Sequence, residues 1–203
     1  MKSTLTIRCL VLAAMCAALA ACGERNASAP PVSPFHAIDI TGAAWGHDFH
    51  LTDHLGRPRS LADFKGQVVM IFFGYTHCPD MCPTTLAQMA QLRAKLGQDA
   101  PRVQGLFVTL DPKRDTPTVL AQYVPAFDAS FLGLYADEKT TAEVARDFKI
   151  FFSPQKPDPQ GHYTVDHSGG VFVFDARGRL RLMLRPGSTV DEMAADVKRL
   201  ISS

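Results

Sequence analysis

Two cysteines, Cys78 and Cys82, lie four positions apart in the stretch FFGYTHCPDMCP, residues 72–83, where an apolar run gives way to a helical pattern. Thiols so spaced can hold a soft metal ion, close a disulfide, or do neither. In a helical turn, side chains four apart share one face with Cβ atoms about 5–6 Å apart, so both sulfurs can aim at one point. A helix N-terminus also favours the thiolate, the form that binds metal and attacks disulfides. Two soft thiolates select copper(I), zinc or iron–sulfur chemistry over hard cations. Two sulfurs alone do not complete a tetrahedral zinc site, which makes a third ligand the question.

Seven histidines can supply it. His47, His50 and His54 follow one another along an N-terminal hairpin, but strand alternation does not bring all three to one face. His36 falls in a tether-like segment, where a solvated ring is the expectation. His77 adjoins Cys78 yet projects away from the pair in an extended approach, and His162 sits in a long Pro-rich loop. His167, in YTVDHSGGVFVFD, is the best placed, because it directly precedes a strand expected to run beside the cysteine loop.

The elements around these residues read in order. Phe49 and Leu51 alternate with polar neighbours before Gly56, as in a short hairpin. Ser60 caps a turn through Leu61 and Phe64, with Asp63 three residues on. The run QVVMIFF, 67–73, is a strand covered on both faces. Leu86, Met89, Leu92 and Leu96 fall at helical spacing before Gly97. Residues 103–110 form a second buried strand, and Thr116–Pro117 opens a helix running to Phe127. A strand at 131–135 precedes a helix starting near Thr140 or Thr141. Residues 149–166 are irregular and Pro-rich; a loop of that length is usually functional or mobile. A hairpin turning at Gly178 joins 170–175 to 180–185, and Ser188 begins a final helix. Strands alternating with helices, then a hairpin and a helix, give an α/β sandwich with a thioredoxin-like core and an added N-terminal β-hairpin. That fold sets a cysteine motif between the first core strand and its helix. Oxidoreductases of this type place a proline before the strand that faces the motif. Here no proline occurs between Pro159 and Pro186, and His167–Ser168 takes that place.

The first 21 residues read as a signal peptide: Lys2 and Arg8, an apolar core from Cys9 to Ala18, then LAAC. The core is shorter than the roughly 20 residues a membrane-spanning helix needs. LAAC resembles a bacterial lipoprotein processing box, with lipid on Cys22. Residues 22–46, rich in Ala, Ser and Pro, suit a flexible tether, and the domain is expected over 47–203. Cys9 and Cys16 leave with the signal, so Cys78 and Cys82 are the remaining free thiols. Loss of Lys2 and Arg8 takes the formal charge from +1 to −1. No basic run supports nucleic-acid binding. A disulfide closing so short a loop would stabilise little, so the pair reads as reactive or metal-binding.

GYTHCPDMCPTTL, FVTLDPKRDTP and YTVDHSGGVFVFD, in this order and spacing, resemble the Sco/SenC family over about residues 47–201. The resemblance implies a membrane-anchored thioredoxin-like protein that serves assembly of the dinuclear copper centre of cytochrome c oxidase. It implies copper(I), or copper(II), held by Cys78, Cys82 and His167. Asp80 matches the family pattern, either tuning the site or contacting the partner, or standing as a solvated or N-cap carboxylate. Asp111, Arg114 and Asp115 match too, with a structural ion pair expected. The implied partners are the copper-centre subunit of the oxidase and a periplasmic copper donor. The implied location is the periplasmic side of a membrane, the inner one favoured, with lipid replacing the transmembrane anchor of many relatives. The expected function is a metallochaperone rather than an enzyme. The alternative is a thiol–disulfide reductase that keeps the oxidase's copper-ligand cysteines reduced. A peroxidase would need an activating arginine and hydroxyl near Cys78, which the sequence does not display.

Overall fold

Seven consecutive buried residues, Val68–Gly74, form the central strand β4. Its alternation feeds two cores at once. Val68, Met70 and Phe72 enter one apolar cluster, and Val69, Ile71 and Phe73 the other. The computed structural model describes residues 33–203. The expected signal peptide and Cys22 lie outside the described residues.

The strands are β1 (Ile38–Asp39), β2 (Leu51–Asp53), β3 (Pro58–Arg59), β4, β5 (Val103–Thr109), β6 (Leu132–Tyr135), β7 (Phe152–Pro154), β8 (Val165–His167), β9 (Val171–Phe174) and β10 (Leu180–Leu184). The α-helices are α1 (Met81–Lys95), α2 (Pro117–Tyr123), α3 (Glu138–Asp147) and α4 (Val190–Ile201). Eight strands make one mixed sheet in the order β1-β10-β9-β4-β5-β6-β2-β3, and β7 and β8 make a separate two-stranded sheet. β4 runs parallel to β5 and antiparallel to β9. The side chains of α1 and α4 pack into one core, and those of α3 with Phe64 and Phe148 into the other. The expected α/β sandwich, with the β2–β3 hairpin added beside β6, is what forms.

Local chemistry sets the helix starts. Thr116 Oγ1 accepts from the Val119 N–H, with Pro117 at the first helical position. Asp137 accepts from the Thr140 N–H and starts α3 at Glu138, a little before the expected threonines. Thr189, not Ser188, caps α4 in a reciprocal pair with Glu192. α2 ends at Tyr123, and Phe127 closes a following turn by donating its N–H to the Val124 carbonyl.

Two expectations need correction. Residues 34–46, expected as the end of a flexible tether, are built into the domain. Ile38 and Asp39 pair with Met183 and Leu182 at the sheet edge. The buried Asp196 carboxylate on α4 accepts the N–H groups of His36 at 3.0 Å and Ala37 at 2.7 Å. Trp45 packs edge-on against Phe172. These partners come from the far end of the chain, so the Ala/Pro/Gly composition of the segment could not disclose them. The second correction concerns 149–166. Phe152 pairs with His167 and Pro154 with Val165, making a β-ribbon where an irregular loop was expected. Lys149, in the left-handed region at φ 58°, turns the chain from α3 toward this ribbon. Among the described residues, no helix is long and apolar enough to cross a membrane.

Candidate metal centre

The cysteine loop leaves the end of β4 and enters α1 between the two thiols. Met81 is the first helical residue, so Cys82 lies in the first turn and Cys78 just ahead of it. The Cys82 N–H donates to Cys78 Sγ at 3.4 Å. Cys82 is wholly buried and Cys78 partly so, and both are free thiols. His167, the last residue of β8, brings Nε2 to 3.7 Å from Cys82 Sγ. One ligand atom from each of Cys78, Cys82 and His167 lies within 4.8 Å of the others. Among the described residues, no other trio of His, Cys, Asp or Glu converges in this way.

The histidine is oriented for ligation. Its Nδ1 sits 2.9 Å from the Ser168 carbonyl. A carbonyl only accepts, so Nδ1 carries the proton and Nε2 presents its lone pair toward the sulfurs. Phe72 and Tyr75 meet the imidazole edge-on and hold the ring plane. The Tyr75 side chain also engages the backbone of Val165 and the Cys78 sulfur, tying the cysteine loop to β8.

The thiols are unequal. Burial raises the Cys78 pKa, but hydrogen bonds from the backbone of Asp80, Cys82 and Met81 outweigh it and leave this thiol below its ordinary range. Burial pushes the Cys82 thiol far above its ordinary value, and the neighbouring Cys78 and Asp115 charges add to the effect. Cys78 is therefore the thiolate-ready group, and Cys82 holds its proton until something replaces it.

Gly74 makes room for the pair. A Cβ there would meet Cys82 Sγ at 2.8 Å, Phe107 at 3.0 Å and Phe72 at 3.1 Å. A glycine ending a strand just before the cysteines was the available sequence signal for this close approach. Asp115 anchors the same loop, accepting from the Thr76 N–H at 3.0 Å, Thr76 Oγ1 at 2.5 Å and Thr109 Oγ1 at 2.6 Å. Burial raises its pKa despite these bonds. Asp115→Ala should cost at least about 1–3 kcal/mol, because it strands buried donors. Asp115→Asn should cost much less, since the amide oxygen still accepts. Urea unfolding of both variants would reverse this reading if the two losses were equal.

The remaining candidates are placed elsewhere. Asp111 and Arg114 form the expected ion pair at 2.5 Å, and Asp115 stands apart from it. Arg114 also donates to the Tyr163 carbonyl and lies 3.5 Å from the Tyr163 ring centroid. Tyr163 in turn donates its hydroxyl to Asp111, so this group pins the connection between β7 and β8 to the body. Asp80 occupies the N-cap position of α1 without capping it, and its carboxylate accepts weakly from Thr84 Oγ1. His54 Nδ1 accepts the Gly133 N–H, while burial lowers its pKa. His47 and His50 are exposed. His77 turns to Thr76 and Asp115, and His162 pairs with Asp158 in the connection between β7 and β8. Tyr75 and Gly74 were not singled out by sequence.

A family model described as SCO1/SenC matches residues 39–202. The chain belongs to the SCO1/SenC family. Among its Sco relatives, the mitochondrial SCO2 homologue of Mus musculus is 35% identical over 158 residues, which cover 77% of this chain and 62% of the relative. The chain thus spans about three fifths of that relative's length. Bradyrhizobium japonicum ScoI, solved with copper bound, is 37% identical with a TM-score of 0.71, covering 77% of this chain and 99% of that one. The apo Sco1 protein of Thermus thermophilus is 36% identical with a TM-score of 0.74, covering 84% of this chain and 99% of that one.

Proposed function

We propose that this protein is a copper metallochaperone that carries the ion on Cys78 Sγ, Cys82 Sγ and His167 Nε2. It delivers copper to the dinuclear centre of cytochrome c oxidase. The observation that carries this reading is the convergence of two soft sulfurs and one imidazole whose Nδ1 faces the Ser168 carbonyl. Thiolates and imidazole together suit copper(I), and the imidazole also accommodates copper(II). The partners are a periplasmic copper donor and the oxidase subunit that receives the ion. Lipid on Cys22 holds the domain on the periplasmic side of a membrane, and an oxidase partner favours the inner one.

The test is copper(I) titration of the reduced protein against a chromophoric competitor, wild type beside His167→Ala and Cys78→Ala. Wild type should take one ion per chain, and both variants should bind more weakly. Equal affinity in all three would remove the site.

The unequal thiols support a second role, as a thiol–disulfide reductase for the recipient's cysteines. Cys78 would attack the partner's disulfide as thiolate, forming a mixed disulfide and releasing one partner thiol. Cys82 would then lose its proton, displace the partner's second sulfur and leave Cys78–Cys82 oxidised. Such activity would persist in His167→Ala and in the presence of a copper chelator. Loss of disulfide reduction under either condition would discard the second role.

A further inference from the structure

Three large apolar side chains are exposed among the described residues: Leu55, Met81 and Phe151. Met81 stands between the two cysteines and is 43% exposed. Its backbone engages the Cys78 sulfur. Its thioether folds over the chain just beyond His167, so that a Cβ added at Gly169 would lie 3.3 Å from Met81 Sδ. One partly exposed residue therefore spans from the Cys78 thiol to the chain just beyond the imidazole. A side chain serving only to fill the core would be buried, as Met70 and Met89 are.

We propose that Met81 Sδ is a fourth, labile copper(I) ligand at the mouth of the Cys78–Cys82–His167 centre. The inference rests on the copper-carrier reading and extends it to the route of entry. A thioether is soft enough for copper(I) and carries no proton that the metal must displace. Met81 can thus take the ion from an incoming complex by donating a sulfur lone pair as one donor ligand leaves. The buried Cys82 sulfur bonds afterwards and releases its proton to solvent. Copper stays in the +1 state, and no electron is transferred.

The experiment compares the reduced wild-type protein with Met81→Leu, which keeps volume but removes the sulfur. Leu55→Ser, on the distant hairpin, controls for loss of an exposed apolar group. Stopped-flow absorbance follows capture of copper(I) from its bathocuproine disulfonate complex. In parallel, 13C-methyl methionine spectra are recorded as copper(I) is added. Met81→Leu should capture about tenfold more slowly, the equivalent of one decade in a barrier-limited rate. Leu55→Ser should match wild type, and the Met81 methyl should shift more than the methyl of buried Met70. An unchanged capture rate in Met81→Leu, or a Met81 methyl that does not move while wild type loads, overturns the proposal. Failure of wild type to load at all would instead overturn the carrier reading.

Discussion

Cys82→Ser is expected to weaken copper(I) binding by more than the roughly 10–100-fold that loss of a group merely orienting a ligand costs. The serine hydroxyl is a hard, neutral donor in place of a soft thiolate, and it sits where the chain is wholly buried. Isothermal or competitive titration gives the affinity directly. The pH dependence gives an independent signature. Burial keeps Cys82 protonated at neutral pH, so binding must release that proton. Cys78, with its pKa lowered by the surrounding N–H groups, gives up its proton at a lower pH. Where Cys78 is already ionised, the logarithm of the wild-type affinity should rise by about one unit per pH unit. In Cys82→Ser that slope should flatten. A wild-type affinity independent of pH over the same range would contradict the assignment of Cys82 as a ligand.

Gly74→Ala is the second large expected effect. The new methyl would lie 2.8 Å from Cys82 Sγ with the rings of Phe107 and Phe72 closing its other sides. Both rings are buried in the packed core and have little room to yield. Overpacking of this kind costs about 1–3 kcal/mol. The part that relaxes most readily is the sulfur, which would have to leave its present place 3.7 Å from His167 Nε2. Thermal unfolding should therefore show a lowered midpoint, and copper(I) affinity should fall in the same variant. Wild-type values for both would mean that the strand end tolerates a side chain and that the close approach is incidental.

The chemistry was more legible in the sequence than the architecture that supports it. Cys78, Cys82 and His167 could be singled out as candidates because residue types that ligate soft metals are few, the cysteines lie four apart, and His167 precedes a strand; the structure brings the three together. The central strands were legible because β4 is buried throughout and reads as a continuous apolar run, and β5 is buried at every position but Gln104. Residues 34–46 were not, because what orders them is a carboxylate on the last helix and the edge of β10. The ribbon of β7 and β8 was hidden by its prolines, which sit at an unpaired edge or beyond the ladder. Asp115 read as one more acid in a charged loop. Its role lies in two hydroxyls and an N–H brought to it from β5 and the cysteine loop. Local pattern carries the candidate residues, whereas the contacts that position them join segments far apart in sequence.

The separate ribbon gives the two halves of the centre different mechanical standing. Both sulfurs belong to the junction of β4 and α1 in the main body, Cys82 wholly buried and Cys78 partly so, whereas the imidazole rides on β8, whose ladder partner is β7 alone. A two-stranded ladder has little cohesion of its own in water. Its docking on the body leans on the clasp of Arg114, Asp111 and Tyr163. Affinity for an ion is then discounted by the fraction of time the ribbon is docked. Arg114, which touches the ribbon through Tyr163 and the cysteine loop through the Tyr75 ring, is then expected to set how firmly the proposed centre holds its ion.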